Sequence, residues 1–583
     1  MLHTLTRSLR ENKGPALVTV LLSALEVVFE IVIPLFMSNL IDFGIEGGSM
    51  AAAWKFGAFL LLLAAFQLAT GVLAARIAAR ASVGFAANLR EDMYNNVQTF
   101  AFSNIDKFST ASIVTRLTTD TTNVQNAFQM LMRMAIRAPV MLIFSMIVSF
   151  RISRDISMTF LIILPILALA LFFIIRSVFP VFTRVFRTYD ELNNVVQENV
   201  RGIRVVKSFN QERHEIGKFG AISERIYKDF SKGERLITLN APLMQFCIYT
   251  CMIVISWLGA KAIIASGNDP ALGLTTGNLT ALITYTMQIL SSLMMLSMVF
   301  AMLTISLSSA RRIAEVLEEQ SDIPQPEQPV MTVRDGAVDF DHVSFVYASK
   351  ADKKVLDDID LHIRSGETIG IIGGTGASKS SLVQLIPRLY DVTGGKLTLG
   401  GVDVRDYDLD TLRGAVAMVL QKNELFSGTI KENLRWGNEN ATDEELQHAC
   451  VLACADEFIS AMPDGYDTHI EQGGTNVSGG QKQRLCIARA LLKKPKVLIL
   501  DDSTSAVDTR TDAQIQQALS TYIPDTTKII IAQRISSVQN ADRIVVLDDG
   551  RIDAVGCHDE LLRTCEIYRE VYESQQKGGE DDA

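Results

Sequence analysis

Long uncharged stretches dominate the first half of the chain. Residues 56–75, 156–175 and 236–260 contain no Asp, Glu, Lys or Arg, and neither does the longer segment 270–310. A helix of roughly 20 mostly apolar residues is long enough to cross a bilayer. With two further apolar stretches, one near the N-terminus and one near residue 140, the pattern predicts six membrane helices, near 15–45, 53–80, 130–152, 156–180, 237–265 and 278–308.

The links between these stretches alternate between short and long. The two long links, 81–129 and 181–236, are polar and rich in Arg and Lys, residue types that mark the cytoplasmic side of a membrane protein. We therefore expect both termini and both long links to face the cytoplasm. The long links read as helical extensions of the membrane helices, with one reversal near 104–108 and another near 209–214.

Two acidic residues, Glu26 and Glu30, lie one helical turn apart inside the first predicted membrane helix. Ionisable side chains within a membrane are costly and usually face a cavity or a partner. One interpretation is a substrate cavity that takes a cation, a proton or a cationic substrate. The other is a water-filled vestibule, or pairing with basic residues such as Arg133 and Arg137. The sequence leaves both open.

The second half of the chain begins at a proline-rich segment, 323–330. We take 1–322 as a transmembrane domain, 323–336 as a linker and 337–583 as a soluble domain. The two parts differ in charge: 28 basic minus 23 acidic residues gives +5 for 1–322, and 27 minus 42 gives −15 for 323–583. The content of 48% apolar residues and the mean hydropathy of +0.22 exclude a disordered chain and argue against a purely soluble protein. No basic tract suggests nucleic acid as a partner.

A phosphate-binding loop follows the strand-like segment 367–372. A glycine-rich loop between a strand and a helix can hold phosphates on its backbone N–H groups. In that arrangement Lys379 would reach the outer phosphates and Ser380 would bind Mg²⁺. The residue before the lysine is Ser378, where glycine is usual, and its Cβ restricts the backbone angles. The candidate ATP-binding residues of the loop are Gly373, Gly374, Thr375, Gly376, Ala377, Ser378, Lys379, Ser380 and Ser381.

Two more motifs follow the loop. The apolar segment 496–500 ends in Asp501 and Asp502, and a buried strand ending in carboxylates is how a P-loop ATPase holds Mg²⁺. Between the loop and this strand lies the sequence Ser-Gly-Gly-Gln, at 478–481. The order and spacing of the three motifs indicate a nucleotide-binding domain.

With six membrane helices ahead of these motifs, the chain resembles the ABC transporter family, specifically an exporter-type half-transporter. The resemblance implies an all-α membrane domain of six helices with cytoplasmic extensions, followed by an α/β P-loop ATPase domain. It implies ATP and Mg²⁺ as cofactors, membrane lipid and a small-molecule substrate as partners, and a multi-pass location in the bacterial cytoplasmic membrane.

The resemblance also assigns roles to single residues. Tyr347 corresponds to the aromatic residue that stacks on adenine, and the reversals near 104–108 and 209–214 correspond to coupling helices. Residues 505–508 correspond to the D-loop. Mg²⁺ would be held by Ser380, Gln421 and Asp501. The signature motif, which serves the ATP of a partner subunit, would be Ser478, Gly479, Gly480 and Gln481.

Three positions depart from the family pattern. One is Ser378. The second is Asp502, where the family has a glutamate that polarises the attacking water, and the third is Gln533, where it has a histidine. Glutamine can hydrogen-bond a γ-phosphate but cannot carry a positive charge. By this resemblance, Asp502 and Gln533 would be catalytic positions in a degenerate form.

This combination resembles the degenerate-site subunit of a bacterial heterodimeric exporter of the multidrug type. Its own Walker-side site would hydrolyse ATP slowly, and its intact signature motif would complete the site of a second ABC half-transporter subunit. The alternatives are a homodimeric exporter, an importer built on the exporter fold, and an ATP-binding regulatory subunit.

Overall fold

The computed structural model describes residues 1–269, 273–347, 354–502 and 507–580. The chain divides into two compact units. The first consists of Met1–Gln98 and Thr110–Glu319, and the second of Thr99–Ser109 and Gln320–Ala583.

Six long apolar helices make up most of the first unit, which confirms the all-α membrane domain expected from the hydrophobic pattern. In the described part of the chain, each is long and apolar enough to cross a membrane. They extend well beyond the uncharged stretches, because amphipathic polar turns continue the same helices. They are α1 Arg10–Glu46, α2 Met50–Gln98, α3 Thr110–Ile152, α4 Arg154–Arg201, α5 Glu212–Ser266 and α6 Thr276–Glu318.

Two of these helices contain a π-helical segment, at Leu40–Glu46 in α1 and at Arg116–Asp120 in α3. The segment in α3 places Asp120 against α6. There Arg312 donates two hydrogen bonds to the Asp120 carboxylate, from Nε at 2.7 Å and from Nη2 at 2.5 Å. Bidentate pairs of this kind fix orientation as well as distance, so this one fixes α3 against α6.

Short helices lie at both reversals of the long links. The first, Phe102–Phe108, includes the predicted segment 104–108. The second lies at Ile203–Ser208, before the predicted segment 209–214, whereas the reversal of the chain falls within that segment, at 209–211. There Gly202 ends α4 with φ −90° and ψ 11°, and Asn210 takes a positive φ of 56°, which turns the chain into α5.

The second unit is an α/β domain, as expected for a P-loop ATPase. The strands are β1 Val338–Phe345, β2 Leu356–Ile363, β3 Thr368–Gly373, β4 Gly394–Leu399, β5 Val402–Asp403, β6 Val416–Val419, β7 Gly428–Thr429, β8 His469–Ile470, β9 Val497–Asp501, β10 Thr527–Ile531, β11 Arg543–Asp548 and β12 Arg551–Gly556. A four-stranded sheet has the strand order β2-β1-β4-β5, a six-stranded sheet has the order β12-β11-β3-β10-β9-β6, and β7 pairs with β8.

The centre of the six-stranded sheet determines where the nucleotide motifs meet. Strand β10 pairs in parallel with both β3 and β9. The carboxyl ends of parallel strands lie at one edge, where ligands of open α/β sheets bind. The loop after β3, the carboxylates that end β9 and the segment after β10 therefore come together.

The helices of the second unit cover the sheets. A cluster of buried residues joins the sheet to the helix Gly479–Leu492 and to the C-terminal helix. The helices are Lys379–Gln384, Leu409–Ala415, Ile430–Arg435, Asp443–Leu452, Asp456–Ser460, Gly479–Leu492, Thr509–Tyr522, His558–Thr564 and Glu566–Glu580.

The cysteines of the two units differ in exposure. Cys557 is exposed, Cys454 is half-buried and the other five are buried.

Candidate ATP-binding site

The phosphate-binding loop begins where β3 ends. A Cβ atom at Gly373 would lie 2.2 Å from the carbonyl oxygen of Leu547, so only glycine fits there. The ammonium group of Lys379 donates to the carbonyl oxygens of Gly373, at 2.7 Å, and of Gly374, at 2.9 Å. The side chain of Lys379 thus folds back across the start of the loop.

Burial shifts the pKa values of the charged side chains in this site. Asp501, at the end of β9, is 3% exposed, and its burial raises its pKa, as does the charge of Asp502. Burial likewise lowers the pKa of Lys379, against the opposing charges of the same two aspartates. The Ser380 hydroxyl donates to Asp501 Oδ1 at 3.0 Å. A carboxylate, a hydroxyl and an adjacent ammonium group form a donor set that fits Mg²⁺ and phosphate.

Asp502 is held by two amide side chains. Gln533 Nε2 donates to Asp502 Oδ2 at 2.7 Å, and Gln421 Nε2 donates to the same oxygen at 3.3 Å. Asp502 is 8% exposed and has a positive φ of 48°. The structure therefore places two of the three positions that depart from the family pattern in direct contact.

Tyr347 lies beside the phosphate-binding loop. Its hydroxyl is 2.7 Å from Ser381 Oγ, and its exposed ring meets the edge of Tyr390 at a centroid distance of 5.1 Å. Tyr390 in turn donates to Asp106 Oδ2 at 2.9 Å, so the aromatic pair connects the loop to the short helix Phe102–Phe108 within the second unit.

The signature residues start a helix of their own. Ser478 caps Gly479–Leu492: its hydroxyl accepts from Gln481 N at 3.2 Å, while Gln481 Oε1 accepts from Ser478 N at 2.9 Å. This capping box satisfies two helix-end groups. A pocket of about 330 Å³ opens at the N-terminal end of this helix, and no residue of 373–381 lines it. The pocket is lined by Ser478, Gly479, Gly480, Arg484, Val507 and Asp508. The last two residues belong to the predicted D-loop, 505–508, whose other two residues, Ser505 and Ala506, lie outside the described residues.

The two membrane glutamates form ion pairs with an arginine. Arg137 on α3 donates to Glu26 Oε1 and to Glu30 Oε2, each at 2.7 Å, and Arg133 lies 3.9 Å from Glu26. A Cβ atom at Gly71 of α2 would lie 3.2 Å from Glu26 Oε1, so glycine leaves room for the carboxylate. The structure favours pairing with basic residues, the second of the two interpretations that the sequence left open.

Comparison with known proteins decides the family. The profile of the ABC transporter transmembrane region matches residues 16–309, and the profile described as ABC transporter matches residues 356–505. The uncharacterized ABC transporter ATP-binding protein YfiB of Bacillus subtilis (strain 168) is 35% identical over 558 residues, covering 96% of each chain. The chain belongs to the ABC transporter family.

Two further comparisons extend over almost the whole transporter. An uncharacterized ABC transporter ATP-binding protein of Mycobacterium tuberculosis (strain CDC 1551 / Oshkosh) is 33% identical over 580 residues, covering 99% of this chain and 98% of the relative. The solved structure of a bacterial Atm1-family ABC exporter with ATP bound has a TM-score of 0.82 and 24% identity, and the match covers 97% of this chain and 99% of that one. The transporter therefore has the exporter fold and is a multi-pass membrane protein with an ATP-hydrolysing domain. This confirms the family resemblance.

Sequence reasoning missed two residues that contact the site of the transporter. They are Tyr390, between Tyr347 and the short helix, and Gln575, whose side-chain amide donates to the backbone carbonyl of Gln533. Neither belongs to a motif with a recognisable local pattern. Only the packing of distant segments brings them to the site.

Replacing Ser378 by glycine should stabilise the nucleotide-binding domain. Ser378 has φ +67° and ψ +22°, a left-handed conformation that costs a residue with a Cβ about 1–2 kcal/mol, partly offset by the extra chain entropy of glycine. We expect the melting temperature to rise by about 2 °C, measured by thermal unfolding of the purified transporter. Ser378→Ala is the matched control, since alanine retains the Cβ. If alanine stabilised as much as glycine, backbone strain would not be the cause.

Proposed function

We propose that this ABC transporter is one subunit of a heterodimeric exporter in the bacterial cytoplasmic membrane, and that its own ATP site is degenerate. The hydrogen bond between Gln533 and Asp502 carries this proposal. The family places a glutamate and a histidine at these positions. Here a shorter carboxylate is bound by a neutral amide, so the groups that would polarise water and stabilise charge in the transition state are weakened.

In this proposal the residues of the site bind nucleotide more effectively than they hydrolyse it. Lys379 and the loop 373–381 would hold the phosphates of ATP, with adenine on Tyr347. Ser380, Asp501 and Gln421 would hold Mg²⁺, which supplies charge neutralisation at the phosphates. The hydrogen bond from Ser380 to Asp501 supports this assignment, because it places a hydroxyl and a carboxylate side by side.

The signature motif would act on the other subunit. The preformed start of the helix Gly479–Leu492, together with its pocket, suits the phosphates of an ATP held by the second half-transporter. ATP would close the two nucleotide-binding domains, and hydrolysis at the partner's site would reset them. The coupling helices would carry this motion to a membrane cavity that opens alternately to each side. The small-molecule substrate is unassigned.

Asp502→Ala should lower the ATPase rate of the assembled transporter only modestly, by less than about tenfold. Removing a group that stabilises a transition state costs about 10²–10³, and we expect that larger loss only when the glutamate of the partner subunit is removed. The measurement is steady-state ATPase activity of the reconstituted pair.

The control for Asp502→Ala is the purified chain on its own. In the degenerate arrangement it turns over ATP very slowly, whereas a homodimeric exporter would turn over at a normal rate. Equal and near-complete losses from the Asp502 variant and the partner variant would contradict the proposal.

A further inference from the structure

The C-terminal helix Glu566–Glu580 is anchored firmly in the second unit. Tyr568 is fully buried, and its hydroxyl lies 2.7 Å from Nδ1 of His558. Ile567, Val571 and Tyr572 pack against the hydrophobic cluster of the domain. Burying one large apolar side chain contributes about 1.5–3 kcal/mol, so the helix has a defined position from which its exposed end can act.

One side chain near the end of this helix bonds the segment that follows β10. Gln575 Nε2 donates to the carbonyl oxygen of Gln533 at 2.8 Å, and Gln575 Oε1 accepts from the backbone N–H of Ile535 at 2.9 Å. A single amide therefore satisfies backbone groups on both sides of Arg534. Ile535 is only 2% exposed, and a buried backbone N–H group needs a partner, whereas the bond to the Gln533 carbonyl lies at the surface. Together the two bonds tie the chain after β10 to the C-terminal helix.

The fixed segment carries the side chain that reaches the carboxylate. Gln533 Nε2 donates to Asp502 Oδ2 at 2.7 Å. The peptide group whose carbonyl Gln575 binds belongs to this same residue, so a rotation of the backbone at Gln533 would move its side chain off Asp502. The hydrogen bonds run without a gap from the C-terminal helix to the end of β9.

We propose that Gln575 is a positioning residue for the ATP site. Gln575 holds the backbone at Gln533 so that the Gln533 side chain faces Asp502 and the γ-phosphate. This inference rests on the proposed function, because it takes the site to bind ATP with Gln533 toward the terminal phosphate. Gln575 itself does not touch the nucleotide in this proposal. It acts through Gln533.

The preference of the site for ATP over ADP tests the proposal, since only ATP carries a γ-phosphate. The transporter is purified with Mg²⁺, a photoreactive ATP analogue is bound to this chain, and ATP and ADP displace it in separate titrations. Gln575→Ala should lower the preference for ATP about fivefold, the effect of one neutral hydrogen bond, and leave the affinity for ADP unchanged. Gln533→Ala should do the same.

Two further variants separate positioning from general damage. Gln576→Ala is the matched control, because Gln576 is the next residue of the same helix and donates to the hydroxyl of Tyr572, at 2.9 Å; it should change nothing. In the double variant Gln533→Ala/Gln575→Ala the preference should fall no further than in Gln533→Ala alone, because residues that act through one contact are not additive. Amide hydrogen exchange of the nucleotide-free transporter measures the effect of Gln575 on the backbone when no nucleotide is bound. The Ile535 amide should exchange faster in Gln575→Ala, and Gln575→Glu, which keeps an acceptor, should restore its protection.

Three results would overturn the inference: an unchanged preference for ATP, an equal loss of ATP and ADP affinity, or additive effects in the double variant. These three results differ from the result that would contradict the proposed degenerate ATP site. If this chain hydrolysed ATP rapidly in its own site, the degenerate-site proposal would fall and the effect of Gln575 on ATP preference would stand. If Gln533→Ala shifted the preference and Gln575→Ala did not, the role of Gln575 alone would fall.

Discussion

Gly480→Glu should nearly abolish ATP turnover of the assembled transporter while ATP still binds at Lys379. Gly480 lies in the first turn of the helix Gly479–Leu492, in the pocket with Ser478. A glutamate there adds bulk and a negative charge where the phosphates of the partner's ATP would bind. The change should not unfold the helix, because glutamate has the higher helix propensity and an acidic side chain is favourable in the first turn. We expect a loss of at least about 10² in rate.

The measurement pairs ATPase activity with photolabelling by a nucleotide analogue, resolved by subunit. Gly480→Gln is the matched control, since it adds a side chain of the same size without the charge, and it should lose less activity than Gly480→Glu. Lys379→Ala should reduce labelling of this chain and leave turnover largely intact. If turnover survived Gly480→Glu but was lost in Lys379→Ala, hydrolysis would run in this chain's own site, and the assignment as the degenerate subunit would be wrong.

Arg137→Met should destabilise the membrane domain by at most about 3–5 kcal/mol, the cost of removing one partner from a fully buried ion pair, because the pair in this protein is only partly buried. The guanidinium of Arg137 bonds both Glu26 and Glu30, and the side chains of these glutamates are only 11% and 22% exposed. Methionine would leave two carboxylates without their bonded cation at membrane depth. Thermal unfolding of the purified transporter, followed on the membrane domain, measures the effect.

The triple variant Arg137→Met/Glu26→Gln/Glu30→Gln is the control, because it removes the cation and both anions together. It should recover most of the lost stability, since replacing a whole buried ion pair by neutral residues costs little. Transport by Glu26→Gln/Glu30→Gln addresses the other interpretation of the glutamates. Equal effects on cationic and neutral substrates would support a structural role. A selective loss of cationic substrates, with a stable Arg137→Met variant, would contradict it.

Local patterns account for what the sequence could predict. Uncharged runs of about 20 residues are long enough to indicate six membrane helices. The glycine-rich loop and the carboxylates after an apolar strand indicate a nucleotide site, because each motif carries its chemistry within a few consecutive residues. The parallel pairing of β10 with β3 and β9 then explains why motifs far apart in the chain meet at one edge.

The remaining features depend on contacts between distant segments. Gln575 lies 42 residues from Gln533 and contacts it only because Tyr568 and its neighbours dock the last helix. The π-helical segments could not be predicted from the sequence, because a short segment with i→i+5 hydrogen bonds leaves the composition of a long apolar helix unchanged. The second short helix lies at Ile203–Ser208 because of backbone angles at Gly202 and Asn210. The turn that follows it occupies 209–211, and residues 212–214 of the predicted segment already belong to α5.

The exposed thiol of Cys557 makes subunit composition directly measurable. All seven cysteines lie in the described segments, and Cys557 is the only exposed one among them. A nitroxide attached there, with Cys454 replaced by serine, puts one unpaired electron on each copy of this chain. Two copies in one assembly would give a dipolar distance by pulsed electron paramagnetic resonance, whereas a single copy beside an unlabelled partner would give none. The number of spins per particle can thus be read without knowing the transported molecule.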